Sequence, residues 1–329
     1  MRHLQLPTSK RWSAIGLGTW QFGSAEWGYG GDYAAGPDSE AARIVKRALE
    51  LGITVFDTAE VYGFGRSERI LGDALDRADA DPATTVVASK VFPVLPIGPV
   101  VSQRGVASSS RLRRPLDLYQ VHQPNPLIGD RRTMPGMRTL QAAGVVDEVG
   151  VSNYSLDRWQ DAEAALGSRV ISNQVQYSLV SRAPERELLP YAAEAGRAVI
   201  AYSPLAQGLL SGKFDAEHRP QNRVRSLNPL FLPESLRRAA PLIDTLREVA
   251  DAHDATPSQV ALAWTIHRPE VVAIPGASSV AQLESNCAAA EIVLGGDEWT
   301  ALNEASDRFT PVSGLSAAVG VGRDLLPFG

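Results

Sequence analysis

The chain has 329 residues, 44% of them hydrophobic, a formal charge of −5 and one cysteine. That mild negative charge, with no dense Lys/Arg block, argues against nucleic acid or an anionic membrane surface as the main partner. A lone Cys287 excludes internal disulfides and cysteine metal clusters, and its helical setting in AQLESNCAAA reads as packing.

Met1 is followed by polar residues rather than an apolar stretch, so no signal peptide is expected. No apolar run reaches the ~18–20 residues that span a bilayer. A cytoplasmic protein is the default expectation. The densest basic run, SRLRR at 110–114, is expected to be a solvated helix end.

Along the chain, short apolar runs alternate with amphipathic stretches. The runs are 14–18, 53–57, 84–90, 116–122, 145–153, 170–177, 198–203 and 271–276. Helical patterns occupy 38–51, 66–78, 99–113, 130–143, 155–166, 184–196, 237–267 (broken near Thr256–Pro257) and 279–290. Val/Ile-rich runs with little alternation suit parallel strands buried on both faces. Eight such units predict a (β/α)8 barrel in one domain. An open doubly wound sheet is the rival, but no strand is followed by G-x-G-x-x-G.

Three segments fall outside this rhythm. Residues 1–13 are expected to form a hairpin plugging the barrel bottom, 204–236 make a long connection, and 309–329 form a tail. The loop at 20–37 carries Trp20, Phe22, Trp27, Tyr29 and Tyr33. Five aromatics among glycines suit a pocket wall, and equally a loop pinned by aromatic burial.

Active sites of such barrels lie at the C-terminal strand ends. Those ends read Trp20, Asp57, Lys90, His122, Ser152 with Asn153, Gln174, Tyr202 with Ser203, and Gly276. A polar residue facing a loop explains any one of them. It explains less well an acid, an ammonium and an imidazole closing three consecutive strands, because unpaired buried charges are costly. A phenol, Tyr62, follows five residues after Asp57. A nearby ammonium favours phenolate and should lower the phenol's pKa. Asp57 can keep Lys90 charged, and His122 can orient a carbonyl oxygen or relay a proton. The set suits proton donation to a carbonyl.

These motifs together resemble the aldo-keto reductase superfamily: FDTAEVYG…SERILGDAL, VVASK, LDLYQVHQP, GVSNYS, NQVQYSL, AYSPLAQGLLSGK and IPGASSVAQLESN, in that order over roughly 14–290. The resemblance implies a (β/α)8 barrel and metal-free, NAD(P)H-dependent carbonyl reduction. It makes Asp57, Tyr62, Lys90 and His122 the catalytic tetrad, with Tyr62 the general acid. It implies nicotinamide contacts from Ser152, Asn153 and Gln174, and stacking from Tyr202. It also implies a pyrophosphate loop at 203–213, with Ser203, Leu205, Gly208, Leu209 and Lys213. Gly276, Ser278, Ser279, Gln282 and Asn286 would hold the adenosine phosphate end. No Lys or Arg lies within 276–282. NADPH is the expected cofactor, with NADH use left open.

Trp20, Trp27, Phe92 and Phe231 are expected to line an apolar pocket for a small carbonyl substrate. His3, His218, His253 and His267 have no second ligand at metal spacing, so no metal is expected. Two rivals remain: a nucleotide-binding sensor subunit with slow turnover, and a Schiff-base lyase using Lys90. The lyase leaves Tyr62, Asn153 and Gln174 unexplained. Oligomeric state has no signature in the sequence.

Overall fold

A computed structural model describes residues 1–23, 33, 36 and 39–314. Among the described residues, ten strands run in chain order: β1 (His3–Leu4), β2 (Trp12–Ser13), β3 (Leu17–Gly18), β4 (Val55–Asp57), β5 (Val86–Val91), β6 (Leu116–Val121), β7 (Val146–Ser152), β8 (Ser172–Gln176), β9 (Ala198–Tyr202) and β10 (Val271–Ala273). The helices are α1 (Trp20–Gly23), α2 (Glu40–Glu50), α3 (Arg66–Arg77), α4 (Gly98–Leu112), α5 (Asp130–Ala142) and α6 (Leu156–Leu166). They continue with α7 (Leu188–Ala195), α8 (Arg223–Ser226), α9 (Pro233–Ala252), α10 (Pro257–Thr265), α11 (Val280–Ala288) and α12 (Gly296–Arg308).

Strands β3 to β10 pair in parallel, each with its sequence neighbour. Backbone bonds from Gly16 N to Ala273 O (2.8 Å), Gly18 N to Pro275 O (3.2 Å) and Ala273 N to Ala14 O (2.9 Å) join the first parallel strand to the last. The sheet therefore closes into the (β/α)8 barrel that the alternating pattern predicts. Gly18 is required at this seam, since a Cβ there would sit 2.7 Å from Ile274 O.

The period of two along each strand divides the core. Val55, Ala88, Leu118 and Ile200 pack inside the barrel with Leu4 and Trp12. Phe56, Val87, Tyr119 and Val199 pack outward under the helices. Strands β1 and β2 pair antiparallel. Lys10, between them, bonds Asp117 and, at 2.9 Å, Thr85 O, fastening this hairpin to the starts of β5 and β6.

Several boundaries differ from expectation. The break expected near Thr256–Pro257 is present, separating α9 from α10, and Thr256 and Gln259 form a capping box at the second helix; α9 starts earlier than expected, at Pro233. Helix α12 was not foreseen; Leu302 and Ala305 bury at helical spacing, and Trp264 stacks on its Trp299 at 5.4 Å. The basic run 110–114 is not a solvated end. Arg111 pairs with Glu68, Arg113 with Asp73 and Asp76, and Arg114 with Asp76, so the run binds the end of α4 to α3. Cys287 is buried, and burial pushes its thiol up to about 11, which suits packing rather than reactivity. Among the described residues, no helix is long and apolar enough to cross a membrane.

Candidate active site

Strand parity carries charged groups to the axis. On β4, Val55 points inward, Phe56 outward and Asp57 inward again. On β5 the same alternation places Lys90 in register with Gln120 of β6, and His122 follows two residues later. All three strands finish at the same end of the barrel.

Lys90 is fully buried, and its Nζ donates to Asp57 Oδ1 (2.5 Å), Thr58 O (2.8 Å) and Tyr62 Oη (3.4 Å). Asp57 Oδ2 accepts from Gln174 Nε2 (2.8 Å) and Gln120 Nε2 (3.4 Å). Burial alone would drive the ammonium's pKa down. The facing Asp57 and Tyr62 outweigh it, so the pKa is raised and Lys90 stays charged.

Tyr62 sits in a tight turn in which Gly63, Phe64 and Gly65 all have left-handed φ, at 60°, 52° and 80°. The turn lies directly on α1. A Cβ on Gly63 would collide with the Gly23 carbonyl, and a Cβ on Gly23 with the Tyr62 carbonyl. The expectation that Lys90 acidifies the phenol is correct for its own contribution but not for the sum. Burial raises the Tyr62 pKa and outweighs the lowering by Lys90, so the hydroxyl keeps its proton at neutral pH.

His122 lies between two ring edges. Tyr62 meets it at 5.8 Å and 82°, and Phe92 at 5.9 Å and 88°. Burial first, and Lys90 second, push its pKa down to about 3, so the imidazole is neutral. Its Nδ1 is buried without a hydrogen-bond partner.

These groups open onto a cavity of about 450 Å³. Its wall includes Trp20, Asp57, Tyr62, His122, Ser152, Asn153, Gln174, Tyr202, Ser203, Leu205, Gly208, Gly276, Ser278 and Gln282. Ser152 Oγ donates to Gln174 O (2.8 Å). Asn153, held at a left-handed φ of 61°, donates through Nδ2 to Ser152 Oγ (3.0 Å) and accepts at Oδ1 from Tyr202 Oη (2.9 Å). One bonded chain thus links the ends of β7, β8 and β9. After β9, Ser203, Ala206 and Gln207 also adopt left-handed φ, a strain of the kind that concentrates at functional loops. At the far wall, Ser279 caps α11 by accepting from Gln282 N, while Ser278 N and Oγ donate to Gln282 Oε1.

Some expected residues lie elsewhere. Phe231 is a correction: it is fully buried and packs edge-on against Phe214 at 5.4 Å, because its short 3₁₀ turn folds down onto the core rather than toward the cavity. Lys213 is exposed and is not among the residues that line the cavity. Leu209 is buried beneath the loop. Asn286 braces the wall from behind, donating to Gly276 O (3.3 Å). Phe92 stands at the rim, 38% exposed, rather than in the wall. Trp27 and Tyr29 lie outside the described residues.

The sequence reading also missed wall residues. Behind the wall, buried Gln120, which supports Asp57, could have been found from its inward parity two places before His122. Thr19, Gln21, Gln207 and Arg225 come from connections and single-turn helices too short for a period to show. Arg225 is a cation among the lining residues, whereas 276–282 carries none.

The donor set fits a dinucleotide. Paired amides and an aromatic ring stand beside the Lys90–Asp57 couple, hydroxyls and a helix N-terminus stand at the other wall, and a guanidinium also lines the cavity. The sequence model of the Aldo/keto reductase family matches residues 14–307. The chain belongs to the aldo/keto reductase family.

Membership makes it an NAD(P)H-dependent oxidoreductase. An uncharacterized oxidoreductase of Mycobacterium tuberculosis is 56% identical over 315 residues, covering 95% of each chain. The structure of a glycerol dehydrogenase from Gluconobacter oxydans is 27% identical, with 95% of this chain and 97% of that one covered and a TM-score of 0.83. An aldo-keto reductase from Klebsiella pneumoniae, solved with NADPH, is 29% identical, with 92% and 95% covered and a TM-score of 0.71.

Proposed function

We propose that this reductase converts an aldehyde or ketone to the alcohol, with NADPH as reductant and Tyr62 as proton donor. One observation carries the reading. The Tyr62 hydroxyl lies 3.4 Å from a buried ammonium that is itself locked to Asp57, in the wall of the cavity that suits the dinucleotide. A nicotinamide held in this cavity would supply the hydride to the carbonyl carbon. Tyr62 Oη delivers the proton to the carbonyl oxygen, and Lys90 stabilises the phenolate left behind. His122, neutral, offers an N–H to the same oxygen and sets its direction. Ser152, Asn153 and Gln174 orient the carboxamide, and Tyr202 supports the ring face.

NADPH is favoured over NADH by Ser278, Gln282 and Arg225, which line the same cavity, and by the NADPH bound in the Klebsiella relative. Substrate affinity should draw on Trp20 and on Phe92 at the rim.

The test is Tyr62→Phe, assayed on a panel of aromatic and aliphatic carbonyls by loss of reduced-nicotinamide absorbance. Turnover should fall about 10²–10⁴-fold, the usual contribution of a positioned acid. NADPH affinity, read by tryptophan quenching, should hold within about twofold, since the lost atom contacts substrate. Near-normal turnover would assign the proton to another group. The same panel run with NADH settles the nucleotide.

A further inference from the structure

Two residues before Tyr62 stands Glu60, a side chain with no part in the reaction above. Arg104 reaches it from α4, donating from Nε to Oε2 (3.0 Å) and from Nη2 to Oε1. Both side chains are largely buried. The bonding capacity left over goes to the next loop, to both backbone polar groups of Phe92 and to Val94 O. Phe92 N donates to Glu60 Oε1 (2.5 Å), and Arg104 Nη1 donates to Phe92 O (2.7 Å) and Val94 O (3.2 Å). A single ion pair therefore holds both backbone polar groups of Phe92.

That ring is one of the two edges against His122. The other edge is Tyr62, which rides on the same turn as Glu60. Because His122 Nδ1 makes no hydrogen bond, no contact at that atom fixes the imidazole plane, and the two edges must supply the constraint. Both edges trace back to the Glu60 carboxylate, one along the chain and one through Phe92.

We infer that Glu60 and Arg104 are positioning residues, a clamp that seats Phe92 against His122 and so fixes the imidazole's aim and the apolar lip of the substrate mouth. The inference rests on the carbonyl-reductase reading above. A merely architectural ion pair would fasten α4 to the barrel and act on folding alone. The clamp acts through one ring, and that difference can be measured.

The experiment is a double-mutant cycle between Arg104→Met and Phe92→Ala, with KM and kcat taken for an aromatic aldehyde. Arg104→Met should raise KM and lower kcat, each about threefold to tenfold, the effect expected from freeing one ordered aromatic side chain. NADPH affinity should stay within about twofold. Arg104→Lys, which keeps the charge but loses the fork, should fall between. In the Phe92→Ala background, Arg104→Met should add almost nothing. Persistence of its full effect there would overturn the inference, as would unchanged kinetics in the single variant.

A second measurement needs no turnover. The His122 imidazole proton resonances of the apo protein should form one set in the parent and shift or double in Arg104→Met. Unchanged resonances would overturn the clamp even if catalysis were confirmed. If the parent reduces no carbonyl, the functional reading fails while this spectrum still decides the clamp. Should Arg104→Met not fold, Arg104→Lys carries the same comparisons.

Discussion

Replacing Lys90 by Met separates what the buried pair does for the fold from what it does for the reaction. The ammonium and its 2.5 Å carboxylate partner are both buried. Removing it leaves Asp57 with only the Gln174 and Gln120 amides, and leaves Thr58 O without its donor. Breaking a buried pair from one side costs about 3–5 kcal/mol. The unfolding entropy is about 2.1 cal/mol/K per residue, which gives roughly 0.7 kcal/mol/K for a chain of 329 residues. Lys90→Met should therefore melt about 4–7 °C lower by circular dichroism. The double variant Asp57→Leu/Lys90→Met removes both charges and should recover about half of that loss. It does not recover everything, because the Gln174 amide is then left unpaired at a cost of ~1–3 kcal/mol. Neither variant should turn over substrate. If Lys90→Met melted within about 1 °C of the parent, the argument from a buried ion pair would be wrong.

The other expectations concern pH and a single methyl group. Burial lifts the Tyr62 pKa more than Lys90 lowers it, so the acid stays protonated and kcat/KM for reduction should show no falling limb between about pH 6 and 9; a limb with its midpoint below about pH 8 would contradict this. Gly23→Ala forces α1 off the Tyr62 carbonyl, and kcat should drop about tenfold to a hundredfold with cofactor affinity retained; equal kcat would show the turn can yield. His122 has a folded pKa near 3 against an unfolded value of 6.5, so the unfolded chain binds the extra proton between those values. Its contribution is complete above about pH 6.5 and is lost on acidification toward pH 3, with a slope approaching ~1.4 kcal/mol per pH unit. His122→Asn should flatten the acid side of a melting-temperature profile, and parallel profiles would place the loss in other groups.

The barrel was legible because period two and the strand–helix rhythm are written into every unit. The same parity gave Asp57, Lys90 and His122, since a charged side chain at an inward position of a buried strand has few destinations. What escaped was set by contacts across the chain. Phe231 and Trp20 are both aromatics in single-turn helices after a strand, yet one turns into the core and the other into the cavity, and composition cannot separate them. The arginines at 111, 113 and 114 look like a free basic run until α3 presents Glu68, Asp73 and Asp76. Arg225 comes from a long loop whose path has no local code. The direction of the Tyr62 pKa depended on a sum: the sequence names the ammonium, but how much water is excluded belongs to the packing.

The acid at position 57 explains why a carboxylate, and not an amide, must end β4. Its two oxygens face different tasks. Oδ1 accepts from Lys90, the group beside the phenol, while Oδ2 accepts from Gln174, whose backbone carbonyl takes bonds from Ser152 Oγ and Asn153 N. One side chain therefore ties the half of the wall built on β4 to β6, which holds the proposed proton donor, to the half built on β7 to β9, where the nicotinamide is proposed to lie. An asparagine has a single acceptor oxygen and would turn its N–H₂ toward either the ammonium or the Gln174 amide, donor against donor in both orientations. Asp57→Asn should thus disturb the two halves together, lowering turnover and weakening NADPH binding, whereas Lys90→Met leaves the Gln174 bond intact and should spare binding. Equal NADPH affinities in the two variants would mean that the carboxylate serves the proton donor alone.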